Sequence, residues 1–153
     1  MRELIGFKRG LLAAAAVAVV GLGAQDVAAE GAGQEIRVSR AVTCLDVQER
    51  EPVNIDSVFS NQVGQVFCYT HIEGASEDTR IEHVWLHEGE ERGRVSLPVR
   101  SPNWRTWSSK RLLPSWTGQW KIEVRRADGS VLKTLEFAIT EVETGSPPPG
   151  LNR

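Results

Sequence analysis

Apolar and polar positions alternate with a period of two in short runs between residues 40 and 141. The first run, 41–47 (Ala-Val-Thr-Cys-Leu-Asp-Val), ends ahead of Glu51-Pro52. Residues 54–61 hold Val58 and Phe59 among turn formers and are weakly specified. Residues 65–72 read as a strand with Val66, Cys68, Thr70 and Ile72 on one face and Phe67, Tyr69 and His71 on the other. Apolar groups on both faces predict a central strand. Residues 80–87 follow, with Ile81, His83, Trp85 and His87 on one side and Val84 and Leu86 on the other, and Glu88-Gly89-Glu90-Glu91 turns the chain. In 93–99 the inward set is Val95, Leu97 and Val99, and Pro98 predicts an edge strand because it cannot donate to a ladder. After a loop over 112–117 come 118–124, with Trp120, Ile122 and Val124 inward, an Asp128-Gly129 hairpin signal, and 132–139 with Leu135, Phe137 and Ile139 inward. With the stretch at 101–110 counted as a strand, the pattern predicts about seven strands and no helix. That is an all-β fold, a single antiparallel two-sheet sandwich, immunoglobulin-like in the loose sense, with a small β-barrel as the alternative.

The two ends have a different character. Arg2, Lys8 and Arg9 precede an apolar run from residue 11 to 22, and Val27-Ala28-Ala29 offers small residues for cleavage before Glu30. Residues 1–29 therefore read as a signal peptide. The run is shorter than the roughly 20 residues a spanning helix needs, so no stable membrane span is expected after cleavage. Residues 30–39 read as a linker, 40–141 as the β-sandwich domain and 142–153, with Pro147-Pro148-Pro149, as a disordered tail. The expected location is periplasmic or secreted. The chain carries a formal net charge of −2, and loss of residues 1–29 would make it −3. Such a mildly acidic balance lacks the electrostatic footprint of a nucleic-acid-binding protein.

Chemistry concentrates in Ser101-Pro102-Asn103-Trp104-Arg105-Thr106-Trp107-Ser108-Ser109-Lys110, with Trp85, Trp116 and Trp120 close by in sequence. Trp104 and Trp107 differ by three positions, so on a regular strand they face opposite ways. Indole beside cationic and hydroxyl groups suits sugar rings, an anionic envelope polymer or a partner protein. The candidate binding residues are Trp104, Arg105, Trp107, Ser109, Lys110 and Trp116. The competing reading is a structural corner in which Arg105 or Lys110 stacks on an indole.

His83-x-Trp85, the run from Leu97 through Trp104-Arg105-Thr106-Trp107-Ser108-Ser109-Lys110, Trp116-x-Gly118-x-Trp120, and Asp128-Gly129 followed by Phe137 together resemble one bacterial family, known as domain of unknown function 2914. Cys44 with Glu51-Pro52 and Phe67-Cys68-Tyr69-Thr70 fit the same pattern, which extends the resemblance over about 41–140. His87 departs from it, standing where an aromatic or apolar residue is expected. The resemblance implies a bacterial, envelope-located domain with no assigned activity, and so brings no catalytic residues with it.

Other chemistry is thinly represented. In an oxidising compartment Cys44 and Cys68 are expected to form a disulfide, which would close a loop of about 24 residues and contribute roughly 3 kcal/mol; two buried free thiols are the alternative. His83 and His87 share a strand face but lie about 13 Å apart at i, i+4, too far for one zinc ion, so no metal and no cofactor is expected. Ser-x-x-Lys spacing ahead of Lys110 would need a serine at Trp107, and a Ser108/Lys110 or Ser109/Lys110 pair leaves a hydrolase as a remote alternative. The expectation is thus a non-catalytic binding or interaction domain of the envelope, with an envelope glycan or envelope protein as partner, or else a purely structural accessory domain. Oligomeric state leaves no trace in the sequence.

Overall fold

A computed structural model describes residues 35–142. Among them are nine strands and no helix: β1 (Arg37–Gln48), β2 (Glu51–Ile55), β3 (Val58–Ser60), β4 (Gln65–Glu73), β5 (Thr79–His87), β6 (Glu90–Val99), β7 (Asn103–Arg111), β8 (Gly118–Arg126) and β9 (Val131–Thr140). They form a four-stranded sheet ordered β2-β1-β4-β7 and a five-stranded sheet ordered β3-β9-β8-β5-β6. All neighbours are antiparallel except β3 and β9. Each sheet keeps two free edges, so the fold is a sandwich and not a closed barrel. β4 is central, and β6, with Pro98, is an edge.

The sequence pattern predicts seven strands; β2 and β3 are the two it misses. Both are short edge strands, and β2 carries Pro52, so neither has the alternation that marks a half-buried strand. β1 also begins earlier than expected, within the supposed linker. Arg37 and Val38 pair with Glu73 and Ile72, and a bulge between Val38 and Arg40 resets the register. Ile36 and Val38 pack on the core beside Ile72, which gives this polar-looking segment a reason to be ordered. The signal-peptide reading, and the tail beyond residue 142, fall outside the described residues.

The inward faces supply two apolar clusters. One gathers Val66, Cys68, Trp85, Trp120, Ile122 and Phe137; the other gathers Ile72, Ile81, Val99 and Val124. Trp85 and Trp120 are fully buried, as their parity predicts. Between the clusters, Thr70 stands between Cys68 and Ile72 in β4, and His83 between Ile81 and Trp85 in β5, so polar groups occupy the seam.

Two hairpins have two-residue turns with positive φ at both central positions, the type I′ geometry that follows strand twist. Glu88 (φ 48°) and Gly89 (φ 83°) join β5 to β6, a turn the sequence marks with its glycine. Glu49 (φ 49°) and Arg50 (φ 64°) join β1 to β2 with no glycine at all. Left-handed backbone costs an ordinary side chain about 1–2 kcal/mol per residue, so the second turn must be held by its surroundings.

Candidate functional site

β7 pairs with β4 in unbroken register from Gln65↔Arg111 to Glu73↔Asn103. Without a bulge, strict alternation holds. Trp104, Thr106, Ser108 and Lys110 share the inner side with Val66, Cys68, Thr70 and Ile72; Arg105, Trp107 and Ser109 share the outer side with Phe67, Tyr69 and His71. The six candidate residues therefore do not form one site.

On the inner side, four polar side chains join into one directed chain. The Thr70 hydroxyl donates to the Thr106 carbonyl at 3.1 Å, so its oxygen must accept from His83 Nε2 at 3.2 Å. His83 is then the Nε2–H tautomer, and its Nδ1 accepts from the Ser108 hydroxyl at 2.8 Å. The Ser108 oxygen in turn accepts the Trp85 indole N–H at 3.2 Å. Every donor is used and each polar atom has a partner, which is the condition for burying such a network at little cost. His83 is wholly buried and Ser108 nearly so; burial lowers the His83 pKa from 6.5 to about 4. The chain fastens β5 of one sheet to β4 and β7 of the other. Lys110 shares this side with Ser108 but is engaged elsewhere: its Nζ donates to the Arg92 carbonyl and lies 5.8 Å from the Trp116 ring.

At the end of the sandwich the loop before β8 is pinned from below. His87 Nε2 donates to the Thr117 carbonyl at 2.7 Å, and the Trp120 indole donates to the Trp116 carbonyl at 3.1 Å. The Glu88 carboxylate accepts from the Gln119 amide at 2.7 Å. Gly118 has φ +100°, a backbone that favours glycine, and a Cβ there would push the Glu88 carboxylate off the Gln119 amide. His87 stacks on Trp120, with centroids 4.6 Å apart, which explains why an aromatic suits its position. Among the described residues its buried Nδ1 has no hydrogen-bond partner. Two cations lie over the Trp116 ring, Arg92 at 5.6 Å and Lys110 at 5.8 Å from its centroid.

The outer side is built differently. The Tyr69 and Trp107 rings lie nearly parallel, 12° apart with centroids at 6.4 Å. The Arg40 guanidinium sits 5.9 Å from the Tyr69 ring. The tip of the β1–β2 hairpin joins this group. The Tyr69 hydroxyl donates to the Arg50 carbonyl at 3.1 Å, and Glu51 reaches both Arg40 and Arg105 at 3.4 Å each. These three charged side chains are all exposed, whereas Tyr69 beneath them is buried. Ser109 accepts a hydrogen bond from Gln65 at 2.6 Å. Arg105, Trp107 and Ser109 are thus neighbours on one face. Trp104 packs instead against the inner cluster around Ile72, and Lys110 and Trp116 belong to the pinned corner.

Residues 78–139 match the family described as "Protein of unknown function (DUF2914)". The resemblance is to DUF2914. No curated protein matches the chain. The DUF2914 segment runs from the start of β5 to Ile139 in β9 and holds all five tryptophans. It is narrower than the 41–140 span the motifs suggested, and it leaves out the β1–β2 hairpin, Tyr69 and Arg40. Within it, the Trp116-x-Gly118-x-Trp120 motif has a structural basis in the pinned corner. Sequence reading missed Tyr69, Arg40 and Glu51 as members of the outer group. The signal available was Tyr69, an aromatic on the outward face of the central strand; the hairpin tip gave none.

The expected Cys44–Cys68 disulfide is not formed; both thiols are free and buried. Register is the reason. Cys44 is paired with Phe67 and Cys68 with Thr43, and directly paired residues share a face. The two cysteines thus point to opposite faces of the sheet, an arrangement a disulfide cannot span. Burial raises both thiol pKa values, so neither has the character of an activated nucleophile. Among the described residues no group of three or more His, Cys, Asp or Glu side chains could hold a metal ion.

Proposed function

We propose that the protein is an exported, non-catalytic binding domain of the bacterial envelope that takes an envelope glycan on the outer face of the four-stranded sheet. One observation carries this reading: a half-buried indole, Trp107, lies against Tyr69 on a face that also carries two exposed arginines, Arg40 at the Tyr69 ring and Arg105. Aromatic rings bind the apolar faces of sugars, and arginine supplies a planar fork of donors for hydroxyl or acidic groups. The opposite side of β7 spends its polar groups on one another, which leaves this side to meet a partner. Export is supported by the basic residues Arg2, Lys8 and Arg9, the apolar run behind them and the small residues before Glu30.

The test is tryptophan fluorescence on titration with soluble peptidoglycan fragments. The expected result is a saturable change that is lost in Trp107→Ala and kept in Trp116→Ala. A flat response in the unaltered protein, or a response carried by Trp116, rejects the reading.

A further inference from the structure

Glu51 stands where a ligand's acidic group would stand. We infer that its carboxylate is an internal occupant of the Arg40–Arg105 pair, set there by the β1–β2 hairpin, and that the carboxylate of an acidic sugar displaces it when the glycan binds. The inference rests on the outer face being the binding face and goes further, to the chemical class of the ligand and to a built-in competitor.

Three observations lead to it. The first is the geometry of the shared carboxylate. Oε2 of Glu51 meets Nη1 of Arg40 and Oε1 meets Nη1 of Arg105, each at 3.4 Å. Charge-assisted bonds of this kind are normally about 2.7–2.9 Å, and arginine binds carboxylates best with two parallel bonds. Glu51 gives each guanidinium one long contact. A carboxylate not tethered to the hairpin could approach either arginine in the bidentate manner.

The second observation is the tether. Glu51 follows Glu49 and Arg50, both held at positive φ without glycine. The turn is tied down by the Tyr69 hydroxyl on the Arg50 carbonyl, at 3.1 Å, and by the Arg50 guanidinium 6.0 Å from the Trp104 ring. Such a backbone persists only where its surroundings hold it. The hairpin tip is therefore placed by the face it covers, and a competitor for that face acts directly on it.

The third is charge and shape. Arg40 and Arg105 converge on the single carboxylate of Glu51, while the Arg50 guanidinium lies over the Trp104 ring and Arg37, farther along β1, is already paired with Glu73. In a chain of net charge −2 this local excess of positive charge selects for an anion. The neighbouring Trp107 indole, set parallel to Tyr69, adds a flat apolar surface. An acidic pyranose satisfies both parts at once, with its ring face on the indole and its carboxylate on the arginines.

The experiment is calorimetric titration of the protein with trigalacturonate at low salt, with Glu51→Gln and Glu51→Ala alongside. Both substitutions are expected to tighten binding about fivefold, the scale of one or two exposed ion pairs no longer competing. Arg105→Ala and Trp107→Ala are expected to weaken it in either background. Unchanged or weaker binding in both Glu51 variants overturns the displacement. Equal binding of a neutral trisaccharide shows that the carboxylate is not read, and equal binding of triglutamate shows that the sugar ring is not read; either overturns the assigned ligand class. If peptidoglycan fragments bind through Trp107 while the Glu51 variants behave like the unaltered protein, the binding face stands and the internal competitor falls. If neither probe binds any of these proteins, both fall together.

Discussion

The inner and outer sides of β7 are made from alternate residues of one short sequence, and they solve opposite problems. Inside, Ser108 receives the Trp85 N–H and gives its own proton to His83, and His83 passes the chain on through Thr70 to the Thr106 carbonyl. Thr70, His83 and Ser108 each accept one bond and donate one, so the chain runs in a single direction. Outside, Arg40 and Arg105 share the single carboxylate of Glu51 through contacts of 3.4 Å. Dryness accounts for the difference. In the core an unmatched polar group costs the full loss of its hydration, so the network must close; at the surface water takes up the remainder, so the face can hold unspent donors. A dense cluster of functional groups in a sequence is therefore no measure of a site. Half of this one is consumed in joining two sheets.

The largest effect that can test this contrast is on stability. Trp85→Ala should destabilise the domain by about 4 kcal/mol, since it empties a fully buried indole site and removes the donor to Ser108. Trp107→Ala, on the half-buried outer side, should cost about 1 kcal/mol. Urea unfolding of the two variants measures both. Comparable losses would mean that the outer indole is as structural as the inner one.

Acid is the next probe of the inner chain. The buried His83 imidazole has its pKa lowered from 6.5 to about 4. Between those values the unfolded chain binds a proton that the folded chain does not, so stability falls as pH drops from about 6.5 toward 4. The whole interval corresponds to about 3 kcal/mol. Protonation also turns Nδ1 into a donor facing the Ser108 oxygen, which takes from the Ser108 O–H its acceptor and breaks the chain at that bond. Denaturant midpoints measured across this range should show the slope, and His83→Gln should remove that part of it. A slope unchanged by the substitution would assign it to other groups.

Much of the inner side was legible in the sequence, because period two is a local property. It sets Trp85 and Trp120 inward, sends Trp104 and Trp107 apart, and puts Pro98 on an edge. What stayed hidden depends on register between distant segments. The partnership of Ser108 with His83 needs β7 beside β4 and the two sheets face to face. The cysteines show how fine that dependence is: moving the β1–β4 pairing by one residue would put both thiols on the same face, and their spacing in the chain says nothing about this. The outer group was hidden for another reason. Its organiser is a turn made of Glu49 and Arg50, neither of which favours the conformation it adopts, so no turn signal marks it. Arg37 and Val38 likewise read as linker until Ile72 and Glu73 are seen opposite them.

The smallest effect concerns that turn. The β5–β6 turn has Gly89 at its second central position, whereas the β1–β2 turn meets the same geometry with two ordinary side chains. Asparagine enters left-handed backbone far more readily than glutamate because its short side chain bonds locally. Glu49 is exposed, so Glu49→Asn should stabilise the domain by about 0.5–1 kcal/mol, seen as a small upward shift in the urea midpoint with an unchanged slope. If no shift appears, the tip is not held against its own preference, and the two turns are closer in character than their φ values suggest. If the shift does appear, the strain is real and its restraint must come from the face below. Tyr69 is then the residue that keeps Glu51 over the arginines, because its hydroxyl is the bond that fixes the Arg50 carbonyl.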